Sequence, residues 1–204
     1  MSGHIDFYFD YSSPFGYLAS ERIEPIASRH NRTVVWHPIL LGVIFKVSKQ
    51  VPLTQAPLKG DYSIKDFSRS AREHSLAYKH PDVFPIGAVA ACRATLWVRN
   101  HADEAVSGCT QAFIQAVYRA YFSQGKDITD VDVLAELANK LGLNAVEMVE
   151  ALGDQSIKDA LRQEVEMATN RGVFGSPMMI VDGEPFWGHD RLEQMDRWLE
   201  TGGW

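Results

Sequence analysis

The chain opens on a strand that runs without a break into a serine–proline turn. His4-Ile5-Asp6-Phe7-Tyr8-Phe9 is followed directly by Asp10-Tyr11-Ser12-Ser13-Pro14-Phe15-Gly16-Tyr17. Alternation with a period of two marks a half-buried strand, and proline one place after a serine marks a helix start. The pattern predicts a strand over 4–10 and a helix over 14–30. So short a turn places the end of the strand against the first turn of the helix. The Ser13 hydroxyl then falls among N–H groups that have no partner within the helix, where an anion is stabilised. Two readings of Ser13 stand at this point. It is a helix N-cap with Pro14 at the first helical position, or it is a hydroxyl placed to hold a charged ligand atom.

A second motif lies far along the chain, at Gly172-Val173-Phe174-Gly175-Ser176-Pro177-Met178-Met179-Ile180-Val181, followed by Asp182-Gly183-Glu184 and Pro185-Phe186-Trp187. It reads as a helix stop, a loop, a strand beginning at a proline, and a tight Asp-Gly turn into another strand. Proline at a strand start suits a cis bond. Asp190 begins a predicted last helix over 190–200, where an aspartate serves as a cap.

Between these motifs the pattern changes. Thr33-Val34-Val35-Trp36-His37-Pro38 alternates and is β-branched, so it predicts a second strand. Residues 45–60 read as a loop rich in Lys, Gln and Pro, and helices are predicted over 61–75, 87–102, 106–123, 130–141, 145–152 and 155–171. Leu134, Leu137, Leu141 and Leu143 give one of these stretches an apolar face. A chain of 204 residues with 46% hydrophobic content can bury a full core. No apolar run reaches the length of a membrane span, and the amino terminus enters a strand directly with no signal-peptide pattern. A net charge of −6 argues against a nucleic-acid partner. Cys92 and Cys109 sit on predicted helices without metal or redox spacing. They read as reduced core residues of a cytoplasmic protein. The seven histidines form no ligand pair at helical spacing, which predicts no structural metal.

A strand–turn–helix bearing S-P-F-G, together with a G-x-P strand–hairpin–helix, resembles the thioredoxin fold. In that fold the proline loop faces the N-terminus of the first helix. Thiol oxidoreductases of the DsbA type carry Cys-x-x-Cys at this turn. Here the four residues are Ser13-Pro14-Phe15-Gly16, and without sulfur there is no disulfide exchange at this site. The chain is similar over nearly its whole length to the family of kappa-class glutathione transferases and 2-hydroxychromene-2-carboxylate isomerases. The resemblance rests on D-F-Y-F-D-x-x-S-P-F-x-Y-L-A from Asp6 to Ala19 and on Lys59-x-x-Tyr62-x-x-x-Asp66-x-x-Arg69. It continues in Phe84-Pro85, in Gly172-Val173-Phe174-Gly175-x-Pro177, and in Trp187-Gly188-His189-Asp190-Arg191-Leu192. It implies an α/β fold. A discontinuous thioredoxin-like domain, 1–42 and 155–204, would carry a large inserted all-helical domain, 43–154.

The resemblance also implies a glutathione site. Ser13 would face the glutathione sulfur, and the main chain of Ser176, before Pro177, would pair with the cysteinyl backbone as a short added strand. Asp190, after Trp187, Gly188 and His189, would meet the γ-glutamyl ammonium. It could still cap the helix, since a carboxylate has several acceptor sites. His189 stands where relatives carry asparagine or a similar polar residue, and could add pH sensitivity. Arg191 either pairs with a ligand carboxylate or is a solvated helix-face residue. Gln50 stands in for a loop asparagine of the relatives. Lys46 and Lys59 either face an acidic ligand or are surface lysines. Lys59, Tyr62, Asp66 and Arg69, spaced three, four and three apart, share a helix face, and the last three read mainly as a structural network. Lys46, Val47, Gly87 and Ala88, with the 45–58 loop, would line the second-substrate pocket. Gly87 replaces an asparagine common in relatives.

The activity implied is a glutathione-dependent cis–trans isomerisation of an aromatic conjugated keto acid, with Ser13 stabilising the glutathione thiolate. The opening motif and the W-G-x-D-R-L run lean towards the isomerases. A kappa-class-like transferase is the alternative, and a non-catalytic thioredoxin-like binding module is the third reading. The family is usually dimeric, which implies a homodimer.

Overall fold

The computed structural model describes residues 3–101 and 108–204. Strand β1, His4–Phe9, lies at the centre of a four-stranded sheet in the order β2-β1-β3-β4. Strand β2, Thr33–Pro38, runs parallel to it, with Phe7 opposite Trp36. Strand β3, Met178–Val181, pairs antiparallel on its other side, with Phe7 opposite Met179. Strand β4, Glu184–Trp187, closes the edge. Five of the six β1 residues are buried, because both faces of this strand are covered. The Asp-Gly turn joining β3 to β4 is formed as expected, with Asp182 at φ 51° and Gly183 at φ 91°, the left-handed pair of a two-residue hairpin.

The predicted helix over 14–30 is two helices, α1 Pro14–Ser20 and α2 Ile23–Arg29. Pro25 explains the break. It has no N–H to donate to the Glu21 carbonyl, so a continuous helix would lose that bond, whereas early in α2 the missing donor costs nothing. The predicted loop over 45–60 is also corrected. Leu41–Ser48 forms helix α3, which ends at Lys49 in the left-handed region at φ 56°. After a 3-10 turn at Leu53–Gln55, helix α4 runs Lys59–Glu73. The start of α3 is capped through space by a carboxylate from the end of β1, a signal that no local pattern carries.

The remaining helices follow the expected spans closely: α5 Val89–His101, α6 Cys109–Phe122, α7 Val131–Lys140, α8 Ala145–Ala151 and α9 Gln155–Asn170. The predicted ends at 102 and 106 lie outside the described residues. A 3-10 turn at His189–Arg191 precedes helix α10, Leu192–Thr201, so the last helix begins two residues later than expected. Among the described residues all strands come from the two ends of the sequence, and every helix but α10 lies between β1 and β3, an α/β fold with a helical insertion.

An aromatic seam ties the sheet to the helices. Phe9 meets Tyr11 edge-on at 5.2 Å and Trp36 at 5.9 Å, and Tyr118 of α6 lies 4.9 Å from Tyr11. Tyr17 and Tyr118 continue into Phe122. Such rings contribute beyond their buried area when tilted or edge-on. The seam anchors α6 against the turn that carries Ser13. Among the described residues no helix is long and apolar enough to cross a membrane.

Candidate active site

Asp10 organises the turn after β1. It is buried, and its Oδ1 accepts from the Ser12 N–H at 2.8 Å while its Oδ2 accepts from the Leu41 N–H at 2.6 Å. The second bond is the cap of α3. The Asp10 carbonyl accepts from the Ser13 N–H at 2.9 Å and from the Tyr118 hydroxyl at 2.9 Å. Its own N–H donates to Ser176 Oγ at 3.0 Å. Burial pushes the Asp10 carboxyl above its ordinary value, against the pull of the two N–H donors. Burial also raises the Tyr118 phenol well above the usual range, so this hydroxyl is a fixed neutral donor.

Ser13 sits at the head of α1 with extended backbone, φ −93° and ψ 112°, and Pro14 follows at the first helical position. Its Oγ accepts from the Gly16 N–H at 3.0 Å and donates to the Ser176 carbonyl at 2.8 Å. The cap and the exposure to a second motif are therefore properties of one hydroxyl. The Ser176-Pro177 bond is cis, as the strand-start proline suggested, and so is Phe84-Pro85. The Gly188 N–H donates to the Pro177 carbonyl at 3.0 Å, which joins the proline loop to the Trp187–Arg191 run.

Gly16 takes the place of the second sulfur of a Cys-x-x-Cys turn. A Cβ there would lie 2.5 Å from the Tyr118 hydroxyl oxygen and 3.0 Å from Ser176 Oγ. The volume that a side chain would need is already filled by the buried Tyr118 hydroxyl and by Ser176 Oγ. Gly16→Ala is expected to lose about 1–3 kcal/mol of stability through overpacking, read as a lower urea midpoint at unchanged slope. Cys92 and Cys109 are buried free thiols, and burial raises both above their ordinary value, the opposite of a reactive thiolate.

Around this centre the predicted residues fall into two groups. Ser13, Ser176, Pro177, Gly188 and His189 are brought together. His189 is buried and stacks on Phe15 at 4.7 Å and 12°. Burial lowers its pKa, and its Nδ1 has no hydrogen-bond partner among the described residues. The imidazole is thus neutral near pH 7, and it serves as a flat packing surface for the residue two places after Ser13. Trp187 is half exposed and packs edge-on against Phe174 at 4.9 Å, over the open Cα of Gly175. Asp190 makes no capping hydrogen bond in the structure, against the expectation. It is exposed, its carboxylate lies over Gly188, which has φ 108° and no Cβ to block it, and Arg191 is 3.8 Å away.

The second group is not joined to Ser13 by any hydrogen bond or ion pair among the described residues. Lys46 and Val47 are exposed on the last turn of α3, Gln50 is exposed just beyond it, and Lys59 is exposed at the first residue of α4. Gly87 is exposed with open space where a Cβ would stand, and Ala88 is buried. Tyr62, Asp66 and Arg69 do form a network. Arg69 donates to the Tyr62 hydroxyl at 3.0 Å and pairs with Asp66. Asp10, Tyr118 and Phe15 were not read as site residues from the sequence. Asp10 alone had a local signal, as the acidic residue three places before Ser13.

The DSBA-like thioredoxin domain family matches residues 4–200. The chain belongs to that family. Within it, this DSBA-like domain is a member of the branch of 2-hydroxychromene-2-carboxylate isomerases and kappa-class glutathione transferases. It is 32% identical over 205 residues to a 2-hydroxychromene-2-carboxylate isomerase of Sphingobium xenophagum, covering 98% of this chain and 99% of the relative. It is 24% identical over 212 residues to glutathione S-transferase kappa 1 of Homo sapiens, covering 96% and 92%. Its fold matches a solved 2-hydroxychromene-2-carboxylate isomerase with a TM-score of 0.85 at 24% identity, over 97% of this chain and 95% of the other. The Ser-Pro-Phe-Gly turn therefore sits in a DSBA-like frame that holds no sulfur at the first or fourth position of the motif.

Proposed function

We propose that the protein is a glutathione-dependent isomerase of an aromatic conjugated keto acid, of the 2-hydroxychromene-2-carboxylate isomerase kind. The observation that carries this reading is the Ser13 hydroxyl, 2.8 Å from the Ser176 carbonyl and at the head of α1. The relatives named above supply the reaction class.

The residues present fit glutathione. The Ser176 main chain offers a carbonyl next to Ser13 for an added strand, Asp190 presents an exposed carboxylate for an ammonium, and Ser13 offers one O–H. When bound, glutathione would supply a thiol whose addition to, and later expulsion from, a conjugated carbon–carbon double bond lets that bond rotate. Ser13 would hold the sulfur as thiolate by turning its O–H from the Ser176 carbonyl to the sulfur. The Gly16 N–H keeps the oxygen in place during that turn, and the first turn of α1 adds favourable potential. Asp10 and Tyr118 hold the turn rigid and stay out of the chemistry. Lys46, Val47, Gly87 and Ala88, with Gln50, Lys59 and Arg191, are proposed to contact the acid substrate or the glutathione carboxylates. We take 43–154 as the inserted helical unit of this arrangement, and a homodimer as the assembly.

The test is binding followed by turnover. Glutathione at a hundred times its Kd should raise stability by about 2.7 kcal/mol, seen as a thermal shift that oxidised glutathione does not reproduce. Interconversion of 2-hydroxychromene-2-carboxylate with its open-chain trans isomer should then need catalytic glutathione only. Stoichiometric consumption of glutathione would identify a transferase instead. No shift with glutathione would leave a non-catalytic binding module.

A further inference from the structure

Away from Ser13, helices α3, α5 and α9 enclose a groove of about 490 Å³, within the size range of small-molecule sites. Its floor is apolar. Leu161 and Val165 of α9 are buried beneath it, Leu40 borders it, and Val43 and Val89 are left 45% and 39% exposed along it. Its polar lining is dominated by cations, with Arg93, Lys158 and Arg162 against the single carboxylate of Glu166. In a chain of net charge −6 this is a local reversal of sign.

The cations are not equivalent. Arg162 is paired with Asp159 at 2.5 Å. Lys158 has no ion pair and no side-chain hydrogen bond among the described residues. Arg93 donates one Nη1 bond to the Leu152 carbonyl at 3.2 Å, and its Nε is buried with no partner among the described residues. A guanidinium has five donors, and a buried donor left unpaired costs free energy that an acceptor would recover. An apolar floor beside two unpaired cations, one with a buried idle donor, has a definite chemical complement.

We infer that this groove is a binding site for an apolar monocarboxylate, its body laid on Leu40, Val43, Val89, Leu161 and Val165 and its acid group held between Arg93 and Lys158. None of the residues lining the groove belongs to the Ser13 cluster, so this site stands independently of the proposed function. It does border α3, whose first N–H is held by Asp10. An occupant bridging α3 and α9 would therefore brace the helix that carries Lys46 and Val47.

The experiment is a titration of the isotope-labelled full chain, followed by amide shifts. Octanoate and 4-phenylbutyrate are the probes, with octanol and 4-phenylbutanol as neutral controls. The acids should shift amides of α3 and α9 and bind at least tenfold more tightly than the alcohols. The tighter acid shows whether the body is acyl or aryl. Lys158→Met, which removes no ion pair and no side-chain hydrogen bond among the described residues, should weaken the acids about threefold and leave the alcohols unchanged. Adding Arg93→Met should bring the loss to tenfold or more. Alcohols binding as well as acids, no effect of Lys158→Met, or shifts confined to α1 and the Gly188 loop would each overturn the site. So would shifts in α9 that grow with protein concentration alone, since a second copy of the chain would then be the occupant.

Discussion

Ser13→Ala should raise the pKa of enzyme-bound glutathione by one to two units, about 1.4–2.7 kcal/mol, and lower turnover at neutral pH about 10–100-fold. The wild-type hydroxyl already makes two hydrogen bonds, one accepted from Gly16 and one donated to Ser176. Losing it therefore has two effects. The cap of α1 is lost, which costs about 1 kcal/mol of stability at every pH. On the proposed function the donor to the sulfur would be lost as well, and that effect would depend on pH. At neutral pH the mutant would hold mostly thiol. At high pH solvent removes the proton from either protein, so the two rates should converge. Ultraviolet titration of the bound thiolate, together with the pH dependence of kcat, measures the difference. Ser13→Thr, which keeps the hydroxyl, should recover most of the thiolate band. A loss that stays constant from acid to alkaline pH would reduce Ser13 to a cap and remove it from the chemistry.

The largest expected loss of stability lies elsewhere, at Glu164→Ala. Glu164 of α9 is buried and meets two partners, His37 Nδ1 at 2.9 Å and Arg99 at 2.6 Å. The other ring nitrogen of His37 meets Asp6 at 3.0 Å, and Asp6 in turn pairs with Arg171 at 2.8 Å. Tyr8 stacks on the imidazole at 4.6 Å and its hydroxyl accepts from Arg171 at 2.6 Å. One network thus clamps β1, β2, α5 and α9. Removing Glu164 leaves His37 and Arg99 without their buried anion. Breaking a buried pair costs about 3–5 kcal/mol, and the 31% exposure of the Arg99 side chain places the cost near the lower end. For a chain of this size that is roughly 2–4 °C of Tm per kcal/mol.

The pH dependence of that loss follows from the carboxyls. Burial alone would raise Glu164 and Asp6, but bonds from His37 and from Arg99 or Arg171 outweigh it, and both lie below their ordinary values. A depressed carboxyl contributes stability above its unfolded pKa and loses it as pH falls through the folded value. The wild type should therefore lose its advantage over Glu164→Ala below about pH 4. Urea unfolding at neutral pH and at acid pH checks both the size and the sign. An advantage undiminished in acid would mean that Glu164 acts through packing rather than charge.

What could be read in advance had short-range causes. The alternation of His4–Phe9 and Thr33–Pro38, the Ser13-Pro14 helix start, the strand after Pro177 and the Asp182-Gly183 hairpin are each set by a few adjacent residues with restricted backbone choices. The break between α1 and α2 was also local, carried by Pro25, although helical periodicity across it masked the signal. Helix α3 could not be read, because its cap is the Asp10 carboxylate, thirty-one residues away. Tertiary structure alone set the surroundings of Ser13. Tyr118 reaches the Asp10 carbonyl across 108 positions, Ser176 reaches Ser13 across 163, and His189 comes to lie on Phe15. The same holds for the His37 network, gathered from residues 6, 37, 99, 164 and 171. By itself the sequence determined most of the elements, α3 excepted, and the two turns, since backbone sterics and hydrogen-bond supply act over a few residues. Which polar groups meet, and how each is charged, was decided only by the fold, since burial and hydrogen-bond partnership exist only once distant segments have excluded water between them.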